Sequence, residues 1–431
     1  MKVTVLGGGE SGVGAALLAN KKGYDVFLSE YKVIKEVFKI ELRKYKIDFE
    51  ENGHDFERFE TSDLVVKSPG IPEMAKPVQW VRNKGIELVS EIEFGYRHYN
   101  GYVIGVTGSN GKTTTTKLAY HILNTNGLDV IIGGNYGVSF CRQLTESSPR
   151  YAVLELSSFQ LDDIVEFKPN ISVMLNISLD HLDRYGYELE NYASAKWKIT
   201  KNQNEEDLCI YNAEDLWIKN KMNSVKLDCR SFPVSSKELE NGISSKDGVF
   251  KLKLLGRHNV FNTACAIAIA RELNIKDDHI QKALLSFTND PHRLERVGEV
   301  NGVEFINDSK ATNVDAVYYA LEAMEKKTIW IVGGVDKGND YSVLLPLVDK
   351  KVSGIVCLGI DNSKLLDMFE NRVEKIIETQ DVKEAVQWSF ENSKEGCTVL
   401  LSPACASFDL FNNYKHRGEC FKKAVLLLNK N

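Results

Sequence analysis

Residues 105–116 read Gly-Val-Thr-Gly-Ser-Asn-Gly-Lys-Thr-Thr-Thr-Thr, and they constrain this chain more than any other stretch. The run before them, Tyr102–Val106, is short, apolar and β-branched, which predicts a buried strand. After them, Thr113–Asn124 carries Leu118, Ile122 and Leu123 at helical spacing. A strand, a Gly-rich turn and a helix opening on Lys-Thr make a phosphate cradle. Backbone N–H groups and the helix N-terminus face the anion, the lysine neutralises charge, and the threonine hydroxyl reaches a magnesium ion. Gly108, Ser109, Asn110, Gly111, Lys112, Thr113 and Thr114 are therefore candidate ATP-binding residues. The usual pattern would place Gly at position 106, where this chain has Val106, so Gly108–Thr113 is a shorter variant. An ordinary tight turn with a surface lysine is the alternative, and the strand and helix around the loop argue against it.

A chain of 431 residues is too long for one ordinary core and predicts two to four domains. With 43% apolar and 26% charged residues it reads as soluble and globular, and a net charge of −6 argues against a nucleic-acid-binding surface. No run approaches the roughly 18 apolar residues of a membrane-spanning helix. Lys2–Leu6 enters a strand at once, which leaves no room for a signal peptide. Eight cysteines without a Cys-x-x-Cys pair read as reduced thiols of a cytoplasmic protein.

The remaining sequence alternates strands and helices. Gly7–Gly12 after the first strand matches Gly-x-Gly-x-x-Gly; a helix follows from Val13 to about Lys22, and a second strand, Asp25–Leu28, ends near Glu30. This is a nucleotide-binding fingerprint, although such glycines also serve plain helix–strand packing. Leu64–Lys67 runs into the turn Ser68-Pro-Gly-Ile-Pro72 at a strand's carboxyl end, where open α/β sheets bind ligands. The first domain closes near residue 97. In the central block, the turn Gly133–Gly137 precedes the strand Tyr151–Leu156, which delivers Glu155. The strand Ile171–Asn176 delivers Asp180, His181 and Asp183 to the same rim. These groups suit magnesium-dependent phosphoryl chemistry, or else cap a helix. Lys196, on a helix over Tyr192–Ile199, reads from composition as a solvated surface residue. Residues 202–255 read as strands and turns. Gly256–Asn262 then opens the helix Thr263–Arg271, with Asn259 and Asn262 serving either as caps or as contacts.

A third α/β unit starts at Pro291–Glu295. Its strands Val303–Asn307, Thr328–Val332 and Thr398–Leu401 end in Asp308–Asn313, Gly333–Gly338 and Ser402–Asp409, and further segments read as a strand at Gly354–Gly359 and a helix near Asn362–Glu370. The alternation predicts a parallel sheet with a ligand rim at its carboxyl edge. Asp308 and Lys310 either pair with each other or serve the site. Gly333-Gly334 implies a backbone that passes close to something.

Thr107–Thr113, Asn176–Asp183, Gly256–Asn262, His292-Arg293, Asp308–Asn313 and Ser402–Asp409 together resemble the Mur ligases, over the whole chain and in that family's order. The Gly333–Lys337 loop and the Ser402–Asp409 run resemble the branch that adds D-glutamate. The resemblance implies an α/β fold of three domains. These are a Rossmann-like UDP-substrate-binding domain at 1–97, a central P-loop ATPase-type domain at 98–290, and a Rossmann-like amino-acid-binding domain at 291–431. It implies a cytoplasmic, monomeric enzyme of peptidoglycan precursor synthesis, acting on UDP-MurNAc-L-alanine, D-glutamate and ATP through an acyl phosphate. A folylpolyglutamate synthase-like ligase is the nearest alternative, and the hundred residues before the phosphate loop argue against it.

Site residues follow from the same resemblance. It implies that Lys112, His181, Lys196 and Lys310 are catalytic, and that Asn259, Asn262, Arg293 and Asp308 join the phosphate loop in binding ATP. It assigns two magnesium ions to Thr113, Glu155, His181 and a carbamylated Lys196, reversing the composition reading of that lysine. Glu10, Ser11, Glu30, Lys32, Ser68, Gly70, Asn135 and His181 would contact the UDP-substrate, with Tyr31 departing from the family pattern. Thr312, Lys337, Ser407, Phe408 and Tyr414 would form the D-glutamate pocket.

Overall fold

The computed structural model describes the whole chain except residues 236, 238, 240, 255 and 429–431. Ser236, Glu238, Glu240 and Leu255, within the stretch expected to hold strands and turns, thus lie outside the described residues. The chain packs as two compact units, Met1–Lys251 with Phe261–Ser286 and Leu252–Val260 with Phe287–Asn431.

The first unit holds two parallel sheets. One comprises β1 (Lys2–Leu6), β2 (Asp25–Ser29), β3 (Asp48–Glu50), β4 (Leu64–Lys67) and β5 (Glu87–Ser90), in the order β3-β2-β1-β4-β5. The other comprises β6 (Tyr102–Thr107), β7 (Val130–Gly134), β8 (Tyr151–Glu155), β9 (Ile171–Met174), β10 (Leu208–Asn212) and β11 (Arg230–Val234), in the order β11-β10-β9-β6-β8-β7. A two-stranded ribbon, β12 (Ser244–Ser245) with β13 (Gly248–Val249), is separate.

The second unit holds one sheet of β14 (Glu295–Val300), β15 (Val303–Asn307), β16 (Thr328–Gly333), β17 (Val352–Leu358), β18 (Ile376–Thr379) and β19 (Thr398–Ala404), ordered β14-β15-β19-β16-β17-β18. Strands buried on both faces carry continuous apolar runs. Accordingly Val103–Thr107 and all of β16 and β19 are buried. The strand order reverses between β1 and β4, on either side of β6, and around β19. Open α/β sheets bind ligands at such reversals, and the three groups of candidate residues follow β1 and β4, β6 and β8, and β15, β16 and β19.

The structure corrects the sequence reading in several places. The third sheet is mixed, because β14 pairs antiparallel with β15. Its hairpin turn is Asn301-Gly302, both at positive φ (47° and 76°), the Asn-Gly signature of a tight primed turn that the alternation of strands and helices concealed. The helix at 256–262 starts at Arg257 and runs to Glu272, so Asn259 and Asn262 lie inside it and are not caps. Both are buried. Strands β7 and β18 and the helices Phe56–Glu60, Glu91–Tyr96, Phe140–Glu146, Ser158–Asp162 and Val382–Glu391 were not legible. Most of these are only four to seven residues long, too short for periodicity to declare them. The stretch 202–255 also holds a helix, Leu216–Ser224, capped by the Asp215 side chain.

Candidate functional site

The phosphate loop is held from both sides by the segment after β9. Ser109 N–H donates to the Asn176 carbonyl (2.9 Å) and Asn110 N–H to Asn176 Oδ1 (2.8 Å), while the Asn176 amide donates back to the Asn110 carbonyl (3.0 Å). Ser109 Oγ meets Tyr192 Oη at 3.0 Å and accepts the Ser178 N–H at 2.9 Å. Gly111 caps the helix Lys112–Thr125 at φ 85°, where a side chain would collide with Asn262. Asn262 thus abuts the loop it is expected to serve. Helix 112–125 opens on buried Thr113 and Thr114, so its N-terminus lies at the turn, which is the arrangement for an anion.

Two lysines converge on one oxygen. Lys112 Nζ donates to the carbonyls of Gly108 (2.8 Å) and Ser109 (2.7 Å), and Lys196 Nζ donates to the same Gly108 carbonyl (2.8 Å). Lys196 is only 2% exposed. Composition had read this lysine as a surface residue; the helix Leu189–Trp197 instead turns it inward beneath the loop, its amine 4.6 Å from the Tyr192 ring centre. Burial, and after it the neighbouring Lys112 charge, hold its pKa well below the ordinary lysine value. Glu155 ends β8 beside the loop. Its Oε1 accepts from the Asn135 amide at 2.8 Å, while its Oε2 is buried with no hydrogen-bond partner among the described residues. A buried carboxylate oxygen without a donor fits a hard cation. His181 stands at the edge, 46% of its side chain exposed, at φ 52°, with Nε2 3.6 Å from Asp180 and its ring edge-on to Phe159. Among the described residues no three His, Cys, Asp or Glu side chains form a ready cluster for a metal.

The first sheet contributes two loops. Glu30 accepts the Gly8 N–H at 2.7 Å and the Lys32 N–H at 2.8 Å, so its carboxylate closes the Gly7–Gly12 turn. A side chain at Gly7 would come within 2.5 Å of Ser68 Oγ, which places the two candidate loops against each other. Ser68 Oγ is buried and lacks a partner among the described residues. Glu10 is engaged elsewhere: it pairs with Arg142 Nε (2.7 Å) and accepts the Ser139 N–H (3.2 Å). Neighbouring Ser11 is half-buried. Sequence reasoning missed the residues that anchor the Ser68–Gly70 turn. Lys67 forms a buried ion pair with Asp163 (2.7 Å), and Arg184 donates to the carbonyls of Gly70 (3.4 Å) and Ile71 (3.2 Å) while lying 4.2 Å above the Phe159 ring. Neither pair has a signal in the sequence, since each joins segments far apart along the chain.

In the second unit, Asp308 is buried, its carboxylate accepting from Leu294 N–H (3.1 Å) and Ser402 Oγ (3.0 Å). Burial raises its pKa to about 7 against the pull of these donors and of Arg293. The Nζ of Lys310 sits 4.1 Å from the centre of the Tyr414 ring. His258, on the first turn of helix 257–272, packs on Tyr319, and burial lowers its pKa to about 4. The glycine pair at 333–334 does pass close to other backbone. A side chain at Gly333 would come within 2.5 Å of the Leu358 carbonyl, and one at Gly334 would collide with that of Ala406. An isolated bridge joins Val335 to Ala406, with Val335 N–H donating to the Ala406 carbonyl at 2.8 Å. That bridge brings the loops of Lys337 and Ser407 side by side. Thr312 and Tyr414 are half-buried and Ser407 is buried, whereas Lys337 and Phe408 are exposed.

Comparison with known proteins matches the chain, segment by segment, to one family. Residues 2–76 match the MurD N-terminal domain, 106–270 the Mur ligase middle domain and 292–405 the Mur ligase glutamate ligase domain. A UDP-N-acetylmuramoylalanine–D-glutamate ligase of Christiangramia forsetii is 47% identical over 98% of this chain and 99% of its own. Two solved structures share the fold. One is a UDP-N-acetylmuramate–alanine ligase of Thermotoga maritima, with a TM-score of 0.61 and 22% identity over 99% of both chains. The other is a MurF ligase of the same organism, in complex with ADP, with a TM-score of 0.61 and 16% identity over 94% of this chain and 95% of its own. The chain belongs to the Mur ligase family.

Proposed function

We propose that this chain is an ATP-dependent ligase that joins D-glutamate to UDP-N-acetylmuramoyl-L-alanine in cytoplasmic peptidoglycan precursor synthesis. The observation that carries the reading is the near-full-length likeness to a relative bearing that activity as its name. Mur ligases are ATP-dependent, and one structural neighbour was solved with ADP. We assign three domains, 1–97, 98–290 and 291–431, to UDP-substrate, ATP and amino acid respectively, and a monomer as the working unit. No helix among the described residues is long and apolar enough to cross a membrane.

In this reading the alanyl carboxylate attacks the γ-phosphorus of ATP, giving an acyl phosphate and ADP. The D-glutamate amine then attacks the acyl carbon, and the tetrahedral intermediate expels phosphate. Little covalent work falls to the protein, so placement and charge dominate. Lys112 and the N-terminus of helix 112–125 hold the β- and γ-phosphates, with Asn259, Asn262, Arg293 and Asp308 on the nucleotide. Thr113, Glu155, Lys196 and His181 would hold magnesium, which supplies charge neutralisation at the phosphate oxygens. Glu155 Oε2, buried with no hydrogen-bond partner among the described residues, supports that role. Lys196 carries a carbamate: its neutral amine adds to carbon dioxide, an N–C bond forms and a proton leaves. The depressed pKa supports this, because only the neutral amine is a nucleophile. Lys310 stabilises the acyl phosphate. Glu30, Lys32, Ser68, Gly70 and Asn135 contact the UDP-sugar, and Thr312, Lys337, Ser407, Phe408 and Tyr414 receive D-glutamate.

The test is phosphate release with ATP, magnesium, UDP-MurNAc-L-alanine and a panel of amino acids. D-glutamate should be turned over in preference to L-glutamate, D-glutamine, L-alanine and diamino acids. Comparable turnover of any of these would overturn the assignment.

A further inference from the structure

Arg417 lies in the helix Tyr414–Leu428 and is 1% exposed. Its guanidinium finds no carboxylate within ion-pair distance among the described residues. All its hydrogen bonds go to neutral oxygens: Nε to Ser309 Oγ (3.1 Å), Nη1 to the Gly333 carbonyl (3.3 Å), and Nη2 to the carbonyls of Ser309 (3.0 Å) and Cys405 (3.1 Å). Burial lowers its pKa to about 10 against the pull of Cys405 and of the more distant Asp409. Burying a cation this way is costly, so the arrangement calls for a reason.

The partners supply one. Ser309, Gly333 and Cys405 belong to three separate strand ends, following or closing β15, β16 and β19. Ser309 precedes Lys310, Cys405 lies two residues before Ser407, and Gly333 opens the loop that carries Lys337. Each loop has a local device: Ser309 Oγ donates to the Tyr414 carbonyl (2.8 Å), and the Val335–Ala406 bridge ties the second loop to the third. Asp336 accepts from Gly338 N–H (2.6 Å), Asn339 N–H (2.9 Å) and Tyr341 Oη (2.7 Å), which stiffens the turn under Lys337. Among the described residues, only Arg417 has side-chain hydrogen bonds to all three loops. Its planar fork of fixed donors sets angles as well as distances, which a flexible ammonium cannot do.

We propose that Arg417 is the positioning residue of the amino-acid pocket, a buried strut that fixes Lys310, Lys337 and Ser407 relative to one another. This rests on the reading of these loops as the D-glutamate pocket. The residue touches no reacting atom and acts through the carbonyls it holds.

The test compares wild type with Arg417→Ala, Arg417→Lys and Ser309→Ala, the last removing the acceptor of Nε together with the Oγ bond to the Tyr414 carbonyl. The readouts are kcat, the Michaelis constants for D-glutamate, ATP and UDP-MurNAc-L-alanine, and thermal melting. In Arg417→Ala the D-glutamate constant should rise at least about tenfold while that for ATP stays within about twofold. Arg417→Lys should retain the defect, and Ser309→Ala should show a smaller one. Millimolar guanidinium ion should restore D-glutamate affinity to Arg417→Ala and leave Arg417→Lys unchanged. If Arg417→Ala does not fold, the other two variants decide. A D-glutamate constant that does not move, or parameters that fall together in proportion to folded protein, would overturn the strut. If wild type itself does not use D-glutamate, the pocket reading fails and takes the proposal with it, an outcome visible before any variant is made.

Discussion

Replacing Lys196 with alanine separates an inert buried amine from a carbamate. Lys196 is 2% exposed and its amine shares the Gly108 carbonyl with that of Lys112, each at 2.8 Å. Two amines on one oxygen are at most two hydrogen bonds apart. At about 5 Å and an effective dielectric near 20, two ammonium ions repel by about 3 kcal/mol. Burial, and after it the charge of Lys112, hold the pKa of Lys196 well below the ordinary lysine value, which favours its neutral form. A carbamate at Lys196 would turn that repulsion into an attraction of similar size, a swing of about 6 kcal/mol. Losing the attractive half alone corresponds to about a hundredfold in rate. We therefore expect Lys196→Ala to lower phosphate release by at least about that factor, and bicarbonate or a short-chain carboxylate to restore part of it. Lys196→Met should melt close to wild type, because the unmodified lysine contributes one carbonyl hydrogen bond, about 1 kcal/mol net, and methionine fills the same space. Activity of Lys196→Ala within about tenfold of wild type would refute the reasoning. So would a mass measurement finding an unmodified lysine in the active, metal-bound enzyme.

Lys112→Ala should abolish phosphate release with the melting profile retained, since the lost charge acts on the transferring phosphoryl group; turnover within about tenfold, or about 1.4 kcal/mol of barrier, would contradict the phosphate-cradle assignment. Lys337→Ala should raise the Michaelis constant for D-glutamate and spare that for ATP, because its target is a carboxylate of the amino acid; a matching rise for ATP would count against the pocket. Asp308→Asn should change the pH dependence of stability. The folded pKa of Asp308, about 7, lies above the ordinary value of 3.8. The stability it contributes is therefore fully present below about pH 4 and is lost as pH rises through 7, by on the order of 4 kcal/mol. The variant's melting temperature should gain on wild type from pH 5 to pH 8, and a constant difference across that range would show that Asp308 is not buried as a neutral acid.

The sequence by itself determined the elements that chemistry punctuates. Strand β6, the phosphate loop and helix 112–125 were legible because Gly108, Gly111 and Lys112 have no ordinary reason to stand together between an apolar strand and a helix. The rim residues after β8, β15, β16 and β19 followed from the same logic, since a strand's end is marked by the change from apolar to polar. Tertiary structure alone decided what those residues touch. Nothing local to Lys196 separates it from a surface lysine; the packing of helix 189–197 beneath the loop does. Asn259 and Asn262 read as caps because propensity is local, yet burial overrode it and set Asn262 against Gly111. Lys67, Arg184 and Arg417 escaped notice because each bonds to residues 84 or more positions away, or, for Arg417, to Cys405 at 12. A hydrogen bond's direction depends on the fold that brings its partners together, and no sequence period encodes that meeting.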